Sequence, residues 1–361
     1  MTTALAAALW AMASPVCAQS TATLKGIDVY RSSVVTLEDI RRKSDRLLDS
    51  YLRQRNDGRR AAMKAAERTK TEIENQIRSL GKLAFVSMAY SEYVTSAERT
   101  AYVTFDVVDK ADARTRMPFR EAPSGYAGDP SGILEAWRQY SDLGQSQLDK
   151  GSISTDRPAC PGFYCTWGSS TPELEALEKR FSGEAPALKS DLKKVLDEDA
   201  SPQSRSAALS VLSYLPDGAE VAALALSGLH DPSVEVRSAA LQILSDLAIY
   251  HKEIFLDARD IIAALDYPTV SDRSKAMGVL VGLVDNVAYR PYVISRAAPY
   301  LVPLLKLSQP SNHDLAFTLL GVLSQQSYDR HDYDSWQKWV DGVAASSATA
   351  TMPAEPAARP K

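Results

Sequence analysis

The sequence predicts a mainly α-helical protein: an α-solenoid of about four helix-pair repeats, preceded by a small α+β unit of order β-α-α-β-β. The first observation behind this is an eight-residue phrase that returns along the second half. It reads Arg205-Ser-Ala-Ala-Leu-Ser-Val-Leu212, Arg237-Ser-Ala-Ala-Leu-Gln-Ile-Leu244, Arg273-Ser-Lys-Ala-Met-Gly-Val-Leu280 and, more loosely, His313-Asp-Leu-Ala-Phe-Thr-Leu-Leu320. Steps of about 32, 36 and 40 residues are those of stacked helix pairs, each burying its apolar face only against its neighbours. The second observation is that apolar periodicity switches between 3.6 and 2 only within residues 24–117. The third is composition: 361 residues, 45% hydrophobic and 24% charged, enough chain for two or three ordinary globular domains.

Residues 1–18 combine an apolar run, Pro15 and the small-residue ending Val16-Cys17-Ala18, which reads as a cleavable signal peptide. Export, most simply to a bacterial periplasm or else by secretion, follows from it. Lipidation of Cys17 is disfavoured, because Ser14-Pro15-Val16 lacks the small residue wanted before such a cysteine. No later stretch is long and apolar enough to span a bilayer once the signal is removed. The two remaining cysteines, Cys160 and Cys165, are expected to form one structural disulfide in an oxidising compartment. Four intervening residues with Pro161 and Gly162 describe a tight loop rather than a two-residue redox spacing.

In residues 24–117, Ile27-Asp-Val-Tyr30 is a strand and Thr36 with Glu38-Asp39 starts a helix. Leu37, Ile40, Leu47, Leu48, Tyr51 and Leu52 line its face, and Asn56-Asp57-Gly58 ends it. Ala62, Ala66, Ile73, Ile77 and Leu80 mark a second helix that Gly81 closes. Residues 83–94 and 99–108 alternate as strands, and Ser96-Ala97-Glu98 suits the hairpin between them. The order, with Gly26-Ile-Asp-Val-Tyr30 leading into Val35-Thr-Leu-Glu-Asp-Ile40, resembles the polypeptide-transport-associated (POTRA) domains of bacterial envelope proteins. That resemblance implies β-augmentation, an edge strand such as Ile27 to Tyr30 accepting a strand from another protein.

This unit carries 19 Lys and Arg against 14 Asp and Glu, a net of about +5, which leaves about −9 for the rest of a chain of net charge −4. Arg41, Arg42, Arg46, Arg53, Arg59 and Arg60 form its basic face. They read as a solvated face, or as one that meets an anionic envelope surface or acidic partner; interspersed Asp45, Asp49 and Glu67 and the lack of a groove-reading motif weigh against nucleic acid.

Residues 118–132 are rich in Pro, Gly and Ala and read as a linker. Residues 133–185 are expected to be capping helices flanking the disulfide loop, with Thr171 and Pro172 starting the second. The repeats then occupy 186–343, with first helices near 187–196, 219–229, 255–265 and 292–305. The phrase His230-Asp-Pro-Ser-Val-Glu-Val-Arg237 is similar to the HEAT family. That resemblance implies a hydrogen-bonded ladder of turn aspartates and helix arginines, carried by Asp199, Arg205, Asp231, Arg237 and Arg273, weakening where His313 replaces arginine. Asp329, His331, Asp332 and Asp334 could be drawn as a metal site, but acids favour a helix N-terminus and Trp336 and Trp339 close the last repeat. Residues 344–361, rich in Ala, Ser, Thr and Pro, read as a disordered tail.

Catalytic motifs are missing. There is no nucleophile elbow, phosphate loop, dinucleotide fingerprint or zinc helix, and Ser190-Asp-Leu-Lys193 lacks the companions a Ser-x-x-Lys enzyme needs. No cofactor is expected. The function expected is a non-enzymatic scaffold or adaptor that presents its concave surface to a protein or peptide partner in the envelope. The alternative is a ligand-binding or enzymatic role in residues 24–117, with the solenoid as an arm.

Overall fold

The computed structural model describes residues 21–95, 98–154, 159–346 and 350–354. The expected signal peptide, Cys17 and the hairpin residues Ser96 and Ala97 lie outside them, as does most of the expected tail. Helix accounts for 61% of the chain, with one three-stranded sheet, so the protein is mainly helical.

Strand β1 (Thr23–Tyr30) is followed by α1 (Leu37–Asp57), α2 (Arg60–Arg78), β2 (Leu83–Val94) and β3 (Arg99–Asp109). Thr36 starts α1 with a capping box: its hydroxyl accepts from Asp39 N–H while the Asp39 carboxylate takes the Thr36 N–H. Gly58 closes the helix at φ 67°, a left-handed value suited to glycine. The sheet order is β1-β3-β2, with β1 parallel and β2 antiparallel to β3. A parallel neighbour needs a crossover, which α1 and α2 provide. The alternate residues Val103, Phe105 and Val107 pack with Ile40, Leu48, Ile73 and Ile77 into one core under those helices.

A short helix, α3 (Ala113–Arg116), leads to α4 (Ile133–Asp149) and then α5 (Pro172–Glu198). The boundary expected at residues 185/186 does not exist: α5 runs straight through Pro186. Phe181 and Ala185 before the proline and Leu192 and Val195 after it are all buried in one core, so packing on both sides outweighs the missing hydrogen bond. After it come α6 (Pro202–Leu212), α7 (Gly218–Gly228), α8 (Val234–Tyr250), α9 (Ala258–Ala263), α10 (Val270–Leu283), α11 (Arg290–Leu305), α12 (Pro310–Ser324) and α13 (Tyr333–Ser346). The helix expected from residue 255 starts only at Ala258, because the Asp257 side chain accepts from Arg259 N–H and sets the cap there.

Helices α6, α8, α10 and α12, which carry the repeated phrase, pack each on the next, and α11 packs on α12 and α13. Ala208, Ala240 and Ala276 are fully buried in those seams, where small side chains let backbones approach. Trp336 of α13 is fully buried against Phe317 and Tyr328, its indole N–H on Asp329 O at 3.0 Å. One core thus runs from Ile133 to Val340, and it includes Tyr30 of β1.

Candidate functional site

The repeated arginines open each ladder step. Arg205 donates from Nε and Nη2 to the two Asp231 oxygens at 2.8 and 2.7 Å, and from Nη1 to Asp199 O and Ala200 O. Arg237 holds Asp231 O and Pro232 O through Nη1, but its carboxylate is Asp272, at 2.9 and 2.8 Å, rather than Asp231. The chain has Tyr267 where the turn aspartate would fall, and Asp272 in the first turn of α10 fills the gap. Asp199 is corrected too. Its side chain meets no repeat arginine and instead accepts from Ala127 N–H and Ser201 N–H, since it opens the row and has no arginine before it.

The third step reaches beyond the helices to the sheet. Arg273, fully buried, donates to Asn312 Oδ1, to Tyr267 O and Pro268 O, and from Nη2 at 2.7 Å to Asp106 of β3. The sheet supplies the carboxylate that the fourth repeat lacks. His313 Nδ1 pairs with Leu305 O, Nε2 lies 4.0 Å from its neighbour Asp314, and the ring stacks on His331.

Asp106 also accepts from Val270 N–H at the start of α10, and Asp28 of β1 accepts from Ser308 N–H, Ser308 Oγ–H and Gln309 N–H at the start of α12. Two sheet carboxylates therefore sit on two helix N-termini, where unpaired N–H groups and the dipole favour a negative charge. Gly26 permits the approach: a Cβ there would meet Ser308 Cβ at 2.3 Å. Tyr30 donates to Leu265 O, and Arg116 bonds Arg31 O, Val107 O and Asp266 O. The α+β unit and the helices are thus joined through buried, hydrogen-bonded groups, although Arg116 Nη2 itself meets no hydrogen-bond partner among the described residues.

Residues 118–132 are no free linker either. The segment lies along the helix turns, with Arg120 N–H on His230 O, Gly125 N–H on Glu198 O and Ala200 N–H on Gly125 O. Arg120 reaches Asp231 and Leu196 O, and Phe119 stacks under the Arg237 guanidinium at 4.0 Å. Burial pushes the Asp231 carboxyl up, but donors from Arg205, Ser233 and Arg120 outweigh it and leave it below the usual carboxylate range.

Cys160 and Cys165 form a disulfide-distance pair, S–S 1.94 Å. Beside Cys165 lies a group that the sequence reading missed, the fully buried Glu178, which accepts hydrogen bonds from Tyr140 Oη and, at 2.6 Å, from Tyr214 Oη. Tyr140 in turn accepts from Trp167 N–H and Gly168 N–H, which ties the cysteine loop to α4 and α5. Burial raises the Glu178 carboxyl above its ordinary value, against the two phenol donors. A raised folded value means stability that is full below the unfolded pKa, about 4.3, and declines as pH rises through the folded one. Glu178→Gln should therefore gain stability relative to the native chain as pH rises above about 4.3 in urea titrations; a pH-independent difference would contradict the assignment.

The predicted basic face is exposed. Arg42 pairs with Asp39 and Arg59 with Asp57, while Arg41, Arg46, Arg53 and Arg60 make no ion pair with the described residues. The strand expected to accept a partner, β1, turns Gly26, Asp28 and Tyr30 onto the helices and borders a groove of about 440 Å³ shared with Pro303, Lys306 and Leu307. The opposite edge of the sheet is β2. Thr95 N–H closes the hairpin ladder on Glu98 O, so Tyr93, Ser91 and Ala89 pair with β3 and the intervening residues face outward. On that outer edge Glu74 takes Met88 N–H and Arg78 covers Val86 O, but the outward groups of Tyr90, Glu92 and Val94 meet no partner among the described residues. A hydroxyl-lined cleft of about 420 Å³ lies between β2 and the helices, with Ser87, Ser91, Thr269, Ser271 and Ser311 around Asp106.

The chain matches no known protein family, no curated protein and no solved structure.

Proposed function

We propose that this is an exported, non-enzymatic interaction protein, a HEAT-like solenoid of helices α5 to α13 joined to a POTRA-like unit of residues 24–117, acting as scaffold or adaptor for a protein or peptide partner in the cell envelope. The observation that carries the reading is the open stretch of β2. The outward N–H and C=O groups of Tyr90, Glu92 and Val94 are what a partner strand needs to extend a sheet, and Val94 stands 73% exposed at its end. The buried charged groups Asp106, Arg205, Asp231, Arg237 and Arg273 are by contrast engaged in holding the fold together. A Cys160 to Cys165 bond suits an oxidising compartment.

The test is capture from envelope extracts by the mature protein and by Val94→Pro, which removes one outward N–H and leaves the β3 ladder intact. The native protein should retain a partner that Val94→Pro retains about tenfold less well, a loss of roughly 1.4 kcal/mol. Equal retention by both would remove β2 from the reading. If the basic face takes part, capture should also fall between about 50 and 300 mM salt. A second reading, a ligand-binding role in the α+β unit, is favoured by the hydroxyl-lined cleft; a polar small molecule protecting β2 amides from hydrogen exchange would replace the first.

A further inference from the structure

The C-terminal segment does not trail away from the helices. Met352 packs against their core, and Pro353 and Ala354 line a small cavity of about 90 Å³ with Leu247, Ile254, Phe255, Leu283 and Tyr289. These residues come from the end of α8, the connection into α9, and the connection from α10 to α11. The wall is fixed before anything binds: Tyr289 Oη accepts from Leu256 N–H at 3.3 Å and donates to Leu256 O at 3.0 Å. Around the groove the sequence neighbours of its lining residues remain uncovered. Ile249 and Val287 are 39 and 67% exposed.

We propose that this groove is a peptide-binding site for a short, extended, apolar segment of Met-Pro-Ala chemistry, which the chain's own residues 351–354 occupy in cis and which a segment of the same chemistry in a partner protein displaces. The chemistry follows from what is seated there. A proline needs no hydrogen-bond acceptor for its nitrogen and brings a preset φ, so little entropy is lost on docking. Methionine is unbranched and polarisable and fills an irregular gap. The described tail leaves Ile249 and Val287 exposed, so a longer apolar segment would bury more than the tail does. The site deepens the interaction reading and rests on it, but it uses none of the residues of the β2 edge. Its failure would leave the capture result at Val94 standing.

The test uses a fluorescent peptide of residues 350–356, Ala-Thr-Met-Pro-Ala-Glu-Pro, titrated into the full chain and into full-chain Met352→Glu. A tethered tail acts at a local concentration of order millimolar, so for a peptide Kd near 0.1 mM the native protein should bind about tenfold more weakly than Met352→Glu. Adding Phe255→Ser to Met352→Glu should abolish binding while the helical circular dichroism is kept. Should that double variant unfold, hydrogen exchange decides instead: the peptide should protect amides of residues 247–256 in Met352→Glu. Equal affinity of native protein and Met352→Glu, or no protection of those amides, overturns the proposal. Concentration-dependent dimers of the native chain that Met352→Glu abolishes would place the tail on a second copy and overturn occupancy in cis.

Discussion

Arg273→Ala is expected to cost about 3–5 kcal/mol in chemical denaturation, the range for breaking a buried ion pair by removing one partner. The guanidinium is fully buried, bonded to Asp106 on β3, Asn312 on α12 and two turn carbonyls, and stacked 4.1 Å over the Tyr30 ring. Its loss leaves the Asp106 carboxylate buried with only the Val270 N–H for company. The damage should therefore appear first between sheet and helices, as faster hydrogen exchange in β1 and β3 than in α6. Asp106→Asn should cost less, because the amide oxygen still accepts from Val270 or Arg273. A cost below about 1 kcal/mol for Arg273→Ala would show that the helices do not depend on the sheet for this step.

Arg237→Ala is expected to cost a similar 3–5 kcal/mol for a different reason. Here the uncompensated carboxylate is Asp272, fully buried on its side chain, and the carbonyls of Asp231 and Pro232 lose a donor as well. Phe119 loses the cation above its ring, so the 118–132 segment should loosen too, which cleavage by a protease within that segment would report. His313→Ala should cost far less, because His313 bridges to no buried carboxylate: it holds one backbone carbonyl, lies 4.0 Å from the exposed Asp314 and stacks on His331. Equal losses at the two positions would mean that the arginine row does not bear the stability assigned to it.

How the sheet is used shows where sequence reading stopped. The alternation of Tyr102, Thr104 and Asp106 with Val103, Phe105 and Val107 reads as a strand with one buried face and one polar, wet face. In the structure both faces are buried, one under α1 and α2 and one on the helix turns. Asp106, which looks solvated in sequence, is in fact a docking group, because a helix N–H and a guanidinium compensate the cost of burying its carboxylate. Asp28 and Ser308 lie 280 residues apart, and no local pattern announces such a pair.

Local chemistry settled what depends on neighbours in the chain. The β-α-α-β-β order, the cap at Thr36, the strands 83–94 and 99 onward, the helices bearing the repeated arginines and the spacing of Cys160 and Cys165 all follow from periodicity, capping residues and turn residues read over a few positions. Only the tertiary structure decided which carboxylate answers each arginine, that α5 passes through Pro186, that Glu178 is buried between two tyrosines and that residues 118–132 lie on the turns. Those outcomes depend on desolvation and on groups brought together from distant parts of the chain, and the energy of a buried charge is set by the partners it meets in space, not by its neighbours in sequence.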